Sequence, residues 1–165
     1  MVYVMMGVSG SGKTVVGREL AERLGLPFYD SDEFHPPQNI AKMKANIPLN
    51  DADREPWLRA LVPGIREWSA AGGAVLACSA LKEKHRQILR EGGVVKFVFL
   101  KGSKELIARR LAQRKNHFMP ATLLDSQFAA LEIPSDAISV SVEESVDSIV
   151  ADIVAAVGQL QRPER

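Results

Sequence analysis

The chain has a single cysteine, Cys78, among 165 residues. An intrachain disulfide is therefore excluded, and a reducing, cytoplasmic setting fits. Cys78 ends an apolar run and reads as a small buried hydrophobe, not a nucleophile. Charge of one sign is also missing. Lys plus Arg total 21 and Asp plus Glu 20, a net of +1, so no field argues for nucleic acid or an acidic membrane as partner. The longest apolar runs are strand-sized, too short to span a bilayer. The first run begins at Val2, which leaves no room for a signal peptide. Repeats and low-complexity tracts are absent as well. What remains is one domain, residues 1–165, large enough to bury about 70% of its unfolded surface, with a small molecule as the expected partner.

The stretch around which the rest is organised is Gly7-Val8-Ser9-Gly10-Ser11-Gly12-Lys13-Thr14, a match to the phosphate-binding P-loop pattern. Ahead of it, Val2 to Met6 suits a buried parallel strand. Behind it, Val15 to Leu24 has apolar residues at helical spacing, and Gly25 supplies a stop. The chemistry needs these residue types. Glycines let backbone N–H groups approach phosphate oxygens, and a helix N-terminus adds partial positive charge. Lys13 can reach the β- and γ-phosphates of ATP, and the Thr14 hydroxyl can ligate Mg²⁺.

Pro27 to Asp30 reads as a short strand ending at Asp30-Ser31-Asp32. In open α/β sheets ligands gather at the carboxyl ends of strands. Two carboxylates there can serve a Mg²⁺ shell and accept a hydroxyl proton, with Asp30 and Asp32 on one side if the strand continues. The bland alternative is a polar turn with an Asx cap. A short helix is expected over Asn39 to Ala45, with Asn46 ending it in the left-handed conformation. Asp53 is a natural N-cap for a helix from Arg54 to Ala71, kinked at Pro63. Ala74 to Cys78 is a strand leading to Ser79 and Lys82, which face the ligand unless Lys82 merely starts the helix Glu83 to Arg90. His85 reads as a surface residue of that helix. Val94 to Leu100 is the strongest strand, and Ser103 caps a basic helix from Lys104 to about Arg114. That helix, a loop through His117 and a helix over Ala121 to Leu131 make either a lid or a solvated basic face. Ile138 to Val142 and a last helix carrying Val146 to Leu160 complete the pattern. The sum is an α/β fold: a three-layer P-loop arrangement of the nucleoside-kinase kind, with a parallel sheet, helices on both faces, a substrate-binding segment (about 33–55) and a lid (about 114–126).

Three further blocks come after the P-loop in order: HPPQNIAKMKANIPLNDADREPWL (35–58), CSALKEKHRQILR (78–90) and RKNHFMPATLLDSQFAALEIP (114–134). Together they cover most of the chain and closely resemble the signature blocks of the small P-loop gluconokinases. HPxxNIxKM, DRxPWL and CSAL are far more specific than the P-loop. The resemblance implies ATP-dependent phosphorylation of D-gluconate at its 6-hydroxyl, giving 6-phosphogluconate, by an enzyme that is often a homodimer. It implies that Lys13 bridges the β- and γ-phosphates, Thr14 ligates Mg²⁺ and Asp30 holds one of the metal's waters. Asp32 receives the hydroxyl proton. Matched by block, the gluconate contacts are Asp32, His35, Lys42, Arg54, Ser79, Lys82, His117 and Gln127. Arg110 and Arg114 come from the lid, one against adenine and one against phosphates. Three positions depart from the usual pattern: Ser31 and Asn46 stand where Gly is common, and Ser141 where Asp is common. Another small-metabolite kinase, acting on shikimate or a nucleoside monophosphate, and a non-catalytic nucleotide-binding module are the rival readings.

Overall fold

The apolar runs become five strands: β1 (Val2–Met6), β2 (Phe28–Asp30), β3 (Ala74–Ala77), β4 (Val95–Lys101) and β5 (Ile138–Ser141). In the computed structural model, which describes residues 1–114 and 121–162, they form one parallel sheet ordered β2-β3-β1-β4-β5. β1 is central, with Val2 in register with Ala74 on one side and Val95 on the other. Its side chains alternate between two cores, as a pleated strand requires. Tyr3 and Met5 join α1 (Lys13–Leu24), α5 (Lys104–Ala112), α6 (Ala121–Ala130) and α7 (Val146–Leu160). Val2, Val4 and Met6 join α3 (Asp51–Ala70) and α4 (Glu83–Arg90) on the opposite face. The remaining helix, α2 (Pro37–Lys44), lies in the segment between β2 and α3. All five residues of β1 are buried, which explains its unbroken apolar run. Among the described residues no helix is long and apolar enough to cross a membrane.

From β1 the chain crosses to β2 at one edge, returns to β3 beside β1, and from β3 crosses over β1 to β4 and β5 on the other side. The connections leaving the neighbouring strands β1 and β3 thus run in opposite directions, which opens a crevice at their carboxyl ends where such sheets bind ligands. The P-loop sits there.

Several local expectations are corrected. Residues 31–34 do not extend β2 but form one turn of 3₁₀ helix, capped by the Asp30 side chain. Helix α3 is capped by Asn50, not Asp53. The Asn50 side chain accepts from the Asp53 N–H at 2.8 Å, and Asp53 Oδ2 accepts from the Asn50 N–H at 3.0 Å. This reciprocal capping box uses a residue pair where a single-residue cap was expected, and it draws Asp51 and Ala52 into the first turn. The helix assignment then runs through both Pro56 and Pro63. His85 is buried, only 4% exposed, because α3 packs against the face of α4 that carries it. Asn46 does adopt the left-handed conformation, φ 57°, one that Asn enters more readily than most residues.

That backbone makes a stability prediction. Asn46→Val should lower unfolding free energy by about 1–2 kcal/mol, the usual cost of forcing such a residue left-handed, whereas Asn46→Gly should not. Urea midpoints of the two variants check this; equal losses would place the effect in the side chain instead.

Candidate active site

The P-loop turns through Gly7 (φ 151°), Gly10 (φ 81°) and Gly12 (φ 96°). At Gly10 a Cβ would sit 2.8 Å from the Leu111 side chain, so the loop packs directly on α5. Gly12 caps α1, whose first turn holds no acid, which leaves the positive helix end free for an anion. Lys13 Nζ donates to Gly7 O at 3.1 Å and Val8 O at 2.9 Å. Burial pushes its pKa down, Asp32 and Asp30 oppose this, and Arg114 lies near enough to add to the lowering. The Gly7 N–H donates to Ser79 O at 3.2 Å, joining the loop to the end of β3. From α6, Gln127 grips the same loop: its Oε1 accepts from the Ser9 N–H at 2.7 Å and its Nε2 donates to Ser9 Oγ at 2.9 Å.

The two carboxylates divide at the turn. Asp30 Oδ1 accepts from the Asp32 N–H at 3.0 Å, and Asp30 Oδ2 accepts from Thr14 Oγ1 at 3.2 Å. Asp30 is thus both the Asx cap and the neighbour of Thr14. Hydroxyl and carboxylate oxygens are hard donors of the type Mg²⁺ takes while keeping several waters. Among the described residues no group of three His, Cys, Asp or Glu could hold a metal by itself. Asp32 projects into the open cleft, its side chain 80% exposed. Partial desolvation raises its pKa, Asp30 raises it further and Lys13 pulls it down.

Behind Asp32 lies a polar lattice. Trp57 Nε1 donates to Ser31 O at 2.8 Å, and His35 stacks on the Trp57 ring at 4.1 Å. Asn39, fully buried, donates through Nδ2 to Asp53 O at 2.9 Å and lies 3.3 Å from His35 Nδ1. Lys42 pairs with Asp53 at 2.7 Å. Asp51 gathers Lys82 (3.1 Å), Lys84 and His85 (3.4 Å). Arg54, between these acids in sequence, has no ion-pair partner among the described residues, and burial lowers its pKa. Arg86, 1% exposed, donates to Ala80 O at 2.7 Å and Glu132 O at 3.0 Å. It thereby holds Ala80 in the left-handed region, φ 44°, at the carboxyl end of β3.

Lys13, Thr14, Asp30, Asp32, Ser79 and Arg114 therefore gather around one cleft. Lys42 and Lys82 are turned onto carboxylates of α3, Gln127 onto the P-loop, and Arg110 onto Val142 O. His35 is enclosed, and His117 lies outside the described residues. Cys78 is fully buried, its pKa pushed up to about 12 by burial. Asn39, Asp51, Trp57, His85 and Arg86 escaped sequence reasoning as site-building residues. Their one signal was their position inside the dense blocks at 35–58 and 78–90. A groove of about 500 Å³ between α3 and α4, lined by Asp51, Glu55, Arg59, Lys84, His85 and Ile88 among others, contains no P-loop residue. Phosphate chemistry belongs to the P-loop cleft.

Comparison with known proteins gives consistent results. The family model described as Shikimate kinase matches residues 9–155. The gluconokinase of Gluconobacter oxydans is 47% identical over 92% of this chain and 88% of its own length. The thermoresistant gluconokinase of Escherichia coli is 40% identical over 94% and 93%. The crystal structure of a gluconokinase from Sinorhizobium meliloti 1021 superposes with a TM-score of 0.89 at 43% identity, covering 96% of this chain and 92% of that one.

The buried imidazole of α4 predicts a pH dependence. His85 Nδ1 accepts from the Lys82 N–H at 3.3 Å, and burial lowers its pKa from 6.5 to about 4, against the opposing pull of Asp51. A base whose folded pKa is depressed contributes stability that is present above its unfolded pKa and lost as pH falls toward the folded one. Stability should therefore decline between pH 6.5 and 4, by on the order of 1–3 kcal/mol from this group. In His85→Gln that segment of the stability–pH curve should flatten; an unchanged slope would show that His85 does not govern it.

Proposed function

The chain belongs to the gluconokinase family, and we propose that it transfers the γ-phosphoryl group of ATP to the 6-hydroxyl of D-gluconate, giving 6-phospho-D-gluconate and ADP. The observation that carries this reading is the convergence of Lys13, Thr14, Asp30 and Asp32 at one sheet edge, with Arg54 half-buried nearby. Arg54 has no ion-pair partner among the described residues and suits a substrate carboxylate.

In the transfer, the bond from the 6-oxygen to Pγ forms as the bond from Pγ to the β,γ-bridging oxygen breaks. The residues present supply positioning and charge neutralisation, which dominate such reactions. N–H groups of Gly10 to Thr14 hold the β-phosphate. Lys13 exchanges its bonds to Gly7 O and Val8 O for phosphate oxygens. Thr14 would ligate Mg²⁺ and Asp30 would hold one of its waters, and the ion would supply charge neutralisation to the transfer. Asp32 aligns the hydroxyl and takes its proton, helped by a pKa that partial desolvation and the Asp30 charge have raised. Arg114 adds charge at the γ-phosphate, with Arg110 on the nucleotide side. Ser79, Lys42 and Lys82 complete the polyol-facing set, the two lysines after leaving Asp53 and Asp51, while Gln127 serves it by holding the P-loop at Ser9; His117, outside the described residues, joins it by family resemblance. The lone buried cysteine and near-neutral charge accord with a cytoplasmic location, and the family resemblance with a homodimer.

Coupled ADP release across gluconate, shikimate and AMP tests the substrate. Gluconate should be turned over and the others at background. Turnover of shikimate or AMP alone would transfer the chain to another kinase class, and none with any acceptor would favour a binding module.

A second prediction separates the two acids. Asp32→Asn keeps the shape and loses charge and basicity, so gluconate turnover should fall by roughly 10²–10⁴-fold while ATP affinity stays near normal. A variant that binds ATP poorly yet turns over normally at saturation would assign Asp32 to the metal and reverse the two roles.

A further inference from the structure

The amide of Asn39 determines the state of a ring it touches. Asp53 O, 2.9 Å away, is a backbone carbonyl that can only accept, so the nitrogen of the amide must face it. That nitrogen, a pure donor, is also 3.3 Å from His35 Nδ1. Nδ1 must then offer its lone pair, and the proton of a neutral ring resides on Nε2. Burial, with a further push from the Arg54 charge, lowers the ring's pKa to about 4 and keeps it neutral. The ring plane is held by stacking on Trp57, itself tied to Ser31 O. Among the described residues the ion-pair partner within reach of Nε2 is Asp32 Oδ1, 3.8 Å away, with the Asp30 charge acting on the ring from farther off.

The Asn39 side chain is retained at a cost. Its Oδ1 is buried without a hydrogen-bond partner among the described residues, which is unfavourable. Both of its N–H groups are in use, one on the backbone of α3 and one on His35. The donor function is what the position supplies.

We propose that His35 is a positioning residue for Asp32: held in the Nε2–H form by Asn39, it donates to Asp32 Oδ1 and leaves Oδ2 to receive the substrate hydroxyl proton. The inference rests on the reading of Asp32 as base. It departs from a direct gluconate contact by His35, whose side chain is only 3% exposed and whose two nitrogens face Asn39 and Asp32. At 3.8 Å the pair is longer than a hydrogen bond, and catalytic contacts of this kind tighten in the reacting complex. In this tautomer no ring lone pair faces Asp32, so the proton stays on the carboxylate and is not relayed inward.

Two measurements test this. Nitrogen-15 imidazole spectra of the resting protein, with the His35 signals assigned from their loss in His35→Gln, should show Nε2 protonated and Nδ1 bare. An Nδ1–H tautomer or a charged ring at neutral pH would overturn the proposal. This readout requires no acceptor substrate, so it stands apart from any failure of the gluconate reading. Kinetically, His35→Phe keeps an aromatic ring on Trp57 and removes the donor, whereas Gln returns an N–H near the Nε2 position. His35→Phe should lower kcat roughly tenfold, the worth of one such bond, with the KM for ATP and gluconate nearly unchanged, and Gln should restore most of it. A raised gluconate KM at constant kcat in both variants would instead make His35 a substrate ligand.

Discussion

A phosphate chain and two carboxylates must occupy a few ångströms of one sheet edge, and Lys13 is the charge that makes this tolerable. Its ammonium is held by Gly7 O and Val8 O while Asp32 and Asp30 raise its pKa against burial. The same carbonyls keep the loop shaped for an incoming anion. Since like charges resist sharing a site, Asp30 is largely occupied by the Thr14 hydroxyl and the Asp32 N–H. Asp32 alone is left reaching into the open cleft. One lysine and one Asx-capped turn thus set the division of labour between acids two residues apart.

The substrate segment is built as a polar lattice because it has little apolar surface to bury. α2 contributes one fully buried residue, and that residue is polar: Asn39. Its hydrogen bonds, the Asn50–Asp53 capping box and the Lys42–Asp53 pair together anchor a segment that hydrophobic packing cannot. Opposite it, Asp51 ties the start of α3 to Lys82 of the β3–α4 turn and to His85 of α4. Satisfied members stiffen such a lattice; among the described residues Asn39 Oδ1 is its one acceptor left without a partner. The lattice also holds two cations, Lys42 and Lys82, on the carboxylates of Asp53 and Asp51.

Arg86 does for the β3 end what Lys13 does for the P-loop. It is a buried guanidinium spent on the carbonyls of Ala80 and Glu132 and on the Glu83 carboxylate, bracing Ala80 in a conformation an alanine avoids. The Gly7–Ser79 bond then passes that fixed position to the phosphate loop.

Sequence alone determined the features that local pattern encodes. The alternation and length of the apolar runs specified a parallel sheet covered on both faces, because strands buried on two sides must be apolar throughout. The glycine spacing specified the phosphate loop, since only that residue type lets backbone N–H groups turn inward at those positions. Asn46 announced its own left-handed turn. Tertiary structure decided whatever depends on a partner distant along the chain. His85 reads as exposed on its own helix and is buried by α3. Asp53 reads as a cap and is the N3 partner of Asn50, with its carbonyl and carboxylate engaged by α2. The facing of Gln127 onto Ser9, 118 residues away, and of Lys82 onto Asp51, 31 away, leaves no periodic trace. Hydrogen bonds between elements are fixed by packing geometry, which short-range spacing does not encode.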